Sequence, residues 1–206
     1  MRFRYLVFIA TMLTVTACNS AKKPSDTNFR IAINQYLAKH GRACAWIGQA
    51  FPVDVSELEQ KSQSGTGPEM AALEAAGLVR SSDTVAVTPG IFSSSTSHRV
   101  KRYEPTAEGR RYFQQFTAVL SQSAGFCYGD KTVDAIVKWT EPAKAGPYSQ
   151  AEVTYTYKIA DLAPWAKQPD VQREFGDVRA TINGISKSNE VIDLQLTNQG
   201  WEVPAP

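Results

Sequence analysis

The sequence predicts an α+β protein, a helical half followed by a small antiparallel β-sheet. Three observations carry that reading. Apolar residues recur at helical spacing over 28–40 and again over 68–76. Glycines and polar runs at Gly41, 61–67 and Gly77 cut the first half into short helices. After Cys127 the period changes to two: Val133, Ala135, Val137 and Trp139, then Val153, Tyr155, Tyr157 and Ile159, alternate with mostly polar residues.

At the start of the chain, Arg2 and Arg4 precede an apolar run from Tyr5 to Ala17 broken only by threonines. That is the layout of an export signal. The run is shorter than the ~20 residues that span a bilayer, which tells against an uncleaved anchor. A plain secretory signal would not need a cysteine directly after the small residues. Val15-Thr16-Ala17-Cys18 resembles the lipobox of bacterial lipoproteins. The resemblance implies that residues 1–17 are a lipoprotein signal peptide, that Cys18 carries a diacylglycerol thioether, and that its amine takes a further acyl chain such as palmitate. At about 0.8 kcal/mol per buried methylene, several chains anchor stably where one binds marginally. Asn19 rather than aspartate follows, which implies an outer-membrane address facing the periplasm. As a whole the chain resembles the uncharacterised lipoproteins of the Gram-negative envelope.

Residues 18–27, polar and carrying Pro24, read as a tether. Ser20 to Lys23 matches a Ser-x-x-Lys pattern, but a flexible tether cannot hold a nucleophile and a base in fixed geometry. From Asn28 a helix carries Phe29, Ile33, Tyr36 and Leu37 on one face until Gly41. Asp54 is expected to cap a second helix bearing Val55 and Leu58. Pro68 suits the first turn of a third, with Met70 and Leu73 inward and Gly77 closing it. Strands are expected at Thr84 to Thr88 and His98 to Tyr103, around a serine-rich tip at Ser93 to Ser97. Thr106 should cap a fourth helix with Tyr112, Phe113, Phe116 and Leu120 as its apolar stripe.

Three helices, a two-stranded wing and a closing helix resemble the winged-helix fold. The residues that carry the likeness are Leu73-Glu-Ala-Ala-Gly-Leu-Val79 and Tyr103-Glu-Pro-Thr-Ala-Glu-Gly109. Similar segments end the recognition helix and open the next helix in regulators of the multiple-antibiotic-resistance type. Here Pro105 replaces the usual leucine. The expected domains are therefore winged-helix-like over 28–125 and antiparallel α+β over 126–206.

DNA binding does not follow from that likeness. A recognition helix needs donors for base edges and cations for phosphates, yet Pro68 to Ala76 holds Glu69 and Glu74 and no lysine or arginine. Loss of Arg2 and Arg4 with the signal leaves equal numbers of basic and acidic residues, a poor footprint for nucleic acid. Arg99, Lys101 and Arg102, with Arg110 and Arg111 nearby, form a basic group interrupted by Glu104 and Glu108. It is either a solvated face or a contact for an anionic envelope component.

In the second half the expected sheet has four strands: Thr132 to Trp139, Ala151 to Ile159, Asp177 to Asn183 and Glu190 to Thr197. Trp165 and Trp201 lie at element ends, where an indole closes a core or lines a groove, so both are binding candidates. With Cys18 given to lipid, Cys44 and Cys127 remain as an even pair. An oxidising periplasm should bridge them, a thiol nucleophile or metal ligand being the alternatives. The only histidines are His40 and His98, and no Cys-x-x-Cys pair occurs.

No hydrolase, zinc-protease, phosphate-loop or dinucleotide motif is present. No catalytic residue, metal or cofactor is expected. The sequence thus predicts a non-catalytic, membrane-anchored binding module in the cell envelope. Its partners would be the membrane, through lipid on Cys18, and an envelope protein or anionic envelope component. The alternative is an envelope or cell-wall hydrolase whose site is assembled only by folding.

Overall fold

A computed structural model describes residues 20–88, 96–118 and 121–204. Cys18, the signal region and most of the serine-rich tip lie outside them. The first element of the described residues is helix α1 (Asp26–His40), capped by the Ser25 hydroxyl, which accepts from the Asn28 amide, and stopped at Gly41 as the sequence predicts. Strands β1 (Arg42–Ile47) and β2 (Val53–Ser56), the single-turn helix α2 (Glu57–Gln60) and helix α3 (Thr66–Ala75) follow. The hairpin β3 (Val79–Thr88) and β4 (Thr96–Pro105) leads to a 3-10 turn at Gly109–Arg111 and to β5 (Phe113–Ala118). The long strand β6 (Ser121–Trp139), then β7 (Ala143–Ala145) and β8 (Tyr148–Ala160), precede helices α4 (Pro169–Glu174) and α5 (Gly176–Gly184). Strands β9 (Glu190–Leu196) and β10 (Trp201–Glu202) end the described fold.

Seven of these strands make one antiparallel sheet with the path β1-β6-β8-β9-β10, β5 pairing with β6 and β7 with β8. Helix α1 touches β6 in the middle of the sheet and also β1 and β10 at the two ends of the path, so the sheet must curl around it. Phe29, Ala32, Ile33 and Leu37 face Val133, Val153, Tyr155, Tyr157, Leu194 and Trp201 in one core. Full burial of each large side chain there contributes about 1.5–3 kcal/mol. A second core gathers Ala45 and Ile47 of β1, Val53 and Val55 of β2, Met70 and Leu73 of α3, and Phe126 and Tyr128 of β6. Trp165, Val171, Phe175 and Val178 complete it. The β2-β4-β3 sheet packs over this second core.

Strand β6 serves both cores because its inward face changes along its length. Phe126 and Tyr128 point to the second core, Val133 to the first. Between them Gly129 has φ +151, and a Cβ there would stand 2.5 Å from the Ala160 carbonyl oxygen and 2.4 Å from Ile159 Cγ2. The close approach of β8 at this point requires glycine. Position 125/126, where the sequence reading divides the chain, lies inside this strand.

The winged-helix expectation, and with it the fold class that placed a helical domain first, is overturned. The described fold is β-rich, and its first half holds no three-helix bundle. Helix α1 buries its apolar face against the curled sheet, whereas α3 packs in the other core. The expected second helix is reduced to the single turn of α2, capped by Ser56 rather than Asp54: Asp54 and Val55 belong to β2, where Val55 is buried, and Leu58 in α2 is 81% exposed. The expected fourth helix is a 3-10 turn followed by β5, which pairs Phe113 with Phe126. Thr106 still acts as the cap: it donates to the Gly77 carbonyl at 2.7 Å and accepts from the Gly109 amide at 2.9 Å. Gly109 is needed because a Cβ there would meet the Leu78 carbonyl oxygen at 1.9 Å. The likeness to winged-helix regulators therefore came from a real turn motif set in a different fold.

In the second half, the strands expected at 132–139 and 151–159 lie within β6 and β8, and that expected at 190–197 is β9, one residue shorter. The strand expected at 177–183 is helix α5 instead. Val178 and Ile182 are four apart and both meet the second core, so packing outweighed the strand preference of β-branched residues. Strand β1 had no expectation, since its small residues give little alternation to read.

Candidate functional site

The C-terminal end of α1 opens onto a cleft of about 330 Å³. Tyr36 and His40 reach it from α1, Trp46 from β1, Lys131 from β6, Tyr155 from β8, Glu190 from β9, and Asp177 and Thr181 from α5. Antiparallel pairing brings these residues together: β6 aligns Lys131 with Ile159, and β9 aligns Glu190 with Tyr155. The Lys131 amide also donates to the Gly41 carbonyl at 2.8 Å, tying β6 to the end of α1.

Glu190 is the centre of the polar network. Its Oε2 accepts from the Tyr155 hydroxyl at 2.9 Å, and its Oε1 accepts from Lys131 Nζ. The Lys131 ammonium stands 4.2 Å from the centre of the Tyr157 ring, an attractive placement for a cation. The Tyr157 hydroxyl donates to the Thr181 carbonyl at 2.8 Å, closing the network onto α5. Burial, reinforced by the Glu190 carboxylate, holds the Tyr155 phenol far above its ordinary range. Burial first and Glu190 second push the Tyr157 phenol up, and burial does the same for Tyr128. The Tyr155 and Tyr157 phenols stay protonated and act as donors.

Both Glu190 oxygens accept hydrogen bonds, and Lys131 Nζ lies between that carboxylate and the Tyr157 ring. At the rim, Tyr36 stacks on His40 with ring centres 4.5 Å apart, and Trp46 is partly exposed. Aromatic faces around a satisfied polar network suit recognition. Among the described residues, no group of three His, Cys, Asp or Glu side chains could hold a metal ion.

Cys44 and Cys127 are disulfide-bonded, as the sequence predicts, and are register partners of β1 and β6. Trp165 and Trp201, read as groove candidates, are each 5% exposed. Trp165 stands edge-on to Tyr112 and Tyr128 in the second core, and Trp201 stands edge-on to Phe29 in the first. The basic group is divided. Arg102 makes a two-pronged pair with Asp54 at 2.7 and 2.6 Å, which holds the Asp54 carboxyl below its ordinary value. Lys101 lies 3.9 Å from Glu74. Arg99 is exposed and borders a separate groove of about 380 Å³ with Glu57 and Asp83.

Sequence reasoning passed over Lys131, Glu190 and Tyr155. The alternation of β8 placed Tyr155 and Tyr157 on one face, but neither Lys131 nor Glu190 belongs to a motif. Only the register of β6, β8 and β9 makes them neighbours. No family model matches the sequence, and no curated protein or solved structure shows significant similarity to it.

Proposed function

We propose that the protein is a lipid-anchored binding module of the bacterial cell envelope, facing the periplasm and acting without catalysis, with the cleft at the end of α1 as its recognition site. The observation that carries this reading is the stretch from Arg2 to Cys18, in which a basic start, an apolar run and small residues lead to a cysteine. The Cys44–Cys127 bridge supports it, because disulfides persist in oxidising compartments. The aromatic rim and satisfied charges of the cleft favour binding of an envelope protein, while an anionic envelope component would meet the basic group at Arg99, Lys101 and Arg102.

A hydrolase reading draws on Asp177 and Glu190 lining the same cleft. The engagement of both Glu190 oxygens weighs against it. One experiment tests both readings. Cells producing the full chain are fed labelled palmitate, and the anchored protein is crosslinked in place and analysed by mass spectrometry. Label on the wild type, none on Cys18→Ser, and one dominant crosslinked partner are expected. A chain retaining Met1 with unmodified Cys18 overturns the anchored reading. Turnover of envelope material by the purified protein overturns the non-catalytic one.

A further inference from the structure

The residues read as a tether are bound to the fold. The Asn28 side-chain amide donates to the carbonyls of both Ser20 and Lys23 at 2.8 Å. The Trp201 indole donates to the Lys22 carbonyl at 3.2 Å, and Gly200 lies against Ala21. Ser20 is two residues from Cys18 in the sequence, and chain reach is at most about 3.6 Å per residue. Resting on the lipid-anchored reading above, we propose that the pole of the fold around Ser20 to Lys23 seats directly on phospholipid headgroups in a fixed orientation, holding the cleft at the far end of the molecule.

Register defines this pole. Lys144 pairs with Ser149, Ser149 with Leu196, and Leu196 with Trp201, which in turn holds Lys22. These residues form one transverse line across the sheet. Lys22, Lys23 and Lys144 are exposed there, as is the amphipathic ring of Tyr148. Cations and an interfacial tyrosine suit a surface of anionic headgroups. Glu141 is exposed nearby, while Asp26 accepts from the Trp139 indole at 3.0 Å.

Two rulers set the distance to the cleft. Helix α1 runs from this pole to His40 over 15 residues, about 22 Å at 1.5 Å per residue. Strand β9 runs from Leu196 at the pole to Glu190 in the cleft, about 20 Å at ~3.3 Å per residue. The bound partner would therefore be engaged on the side turned away from the bilayer.

The test uses the full acylated chain in phosphatidylethanolamine and phosphatidylglycerol vesicles that carry a headgroup spin label. A fluorophore is attached in separate samples through Lys144→Cys and Lys39→Cys, and intact mass establishes acylation of each. Quenching at position 144 at least threefold stronger than at 39 is expected. Equal or reversed quenching in an acylated sample overturns the orientation and leaves the anchor standing. An unacylated Cys18 overturns the anchored reading itself. Asn28→Ala with Trp201→Phe removes the three side-chain donations while keeping an aromatic ring beside Phe29. It should bring the quenching ratio toward one, and an undiminished ratio overturns the role of the bound segment.

Discussion

Cys44 and Cys127 stand directly opposite each other in the ladder of β1 and β6, so one covalent bond joins the first strand after α1 to the longest strand of the fold. They are separated by 83 residues. A loop of that length gives a chain-entropy stabilisation of about 4.5 kcal/mol. Replacing both cysteines with alanine, or reducing the bridge, is expected to lower the unfolding free energy by roughly 3–5 kcal/mol in denaturant titration. An unchanged midpoint in the reduced protein would show that the ladder alone fixes β1.

The Glu190 network predicts a second loss. Glu190→Gln removes the charge facing Lys131, although an amide can still accept from Tyr155. Because Lys131 and Glu190 are only about a quarter to a third exposed, the expected cost is about 1–2 kcal/mol. Glu190→Ala should cost more, by leaving both donors without an acceptor. In the double-mutant cycle with Lys131→Met, the coupling should exceed the few tenths of a kcal/mol typical of a surface pair. Simple additivity would reduce the network to independent contacts.

Two carboxylates predict opposite responses to acid. Burial, aided by Glu174 and Asp177, raises the Glu69 carboxyl above its ordinary value. The folded state therefore binds that proton more tightly than the unfolded chain. The resulting penalty is full at neutral pH and disappears as pH falls through the raised value toward 4.5. The bond from Arg102 lowers Asp54, whose contribution is present above about 3.8 and fades as pH falls through the lowered value. Glu69→Gln should raise the Tm at pH 7 and leave it unchanged near pH 4. Asp54→Asn should lower it at pH 7, with the deficit closing only in stronger acid. Parallel Tm curves for either variant and the wild type would refute the assignment.

The C-terminal end of α1, the cores of α3 and β9, and the cysteine pair were legible because each is set by local spacing or by a count of residue types, whereas the helix begins at Asp26, inside the residues read as a tether. Phe29, Ile33 and Leu37 read as a buried face and are one. The partners of that face were not legible. Nothing local distinguishes a helix that packs on two other helices from one enclosed by a sheet whose strands lie a hundred residues away. Tyr112, Phe113 and Phe116 fit a helical stripe, yet the open side of β6 at Ser121 to Phe126 takes Phe113 to Ala118 as a strand. The cleft was hidden for the same reason, since Lys131 and Glu190 meet only after β8 has paired with both neighbours. The bound segment at Ser20 to Lys23 has the composition of a linker, and it is Asn28 and Trp201 that fix it.

The turn at Thr106 gives the sharpest test of how a familiar motif is used here. Thr106 donates to Gly77 and accepts from the Gly109 amide, and Gly109 leaves no room for a side chain against Leu78. At a helix start facing solvent, alanine in place of this glycine would be tolerated or mildly stabilising. In this fold the added Cβ would stand 1.9 Å from a backbone oxygen, and Leu78, just before β3, must move away from the 3-10 turn to admit it. Gly109→Ala is therefore expected to cost about 2–4 kcal/mol, whereas Thr106→Ala loses only the cap bonds, about 1–2 kcal/mol. Hydrogen exchange should show faster opening of β5 in Gly109→Ala, with α1 and β9 unaffected. Wild-type stability in Gly109→Ala would mean that the segment keeps the helical form suggested by its sequence.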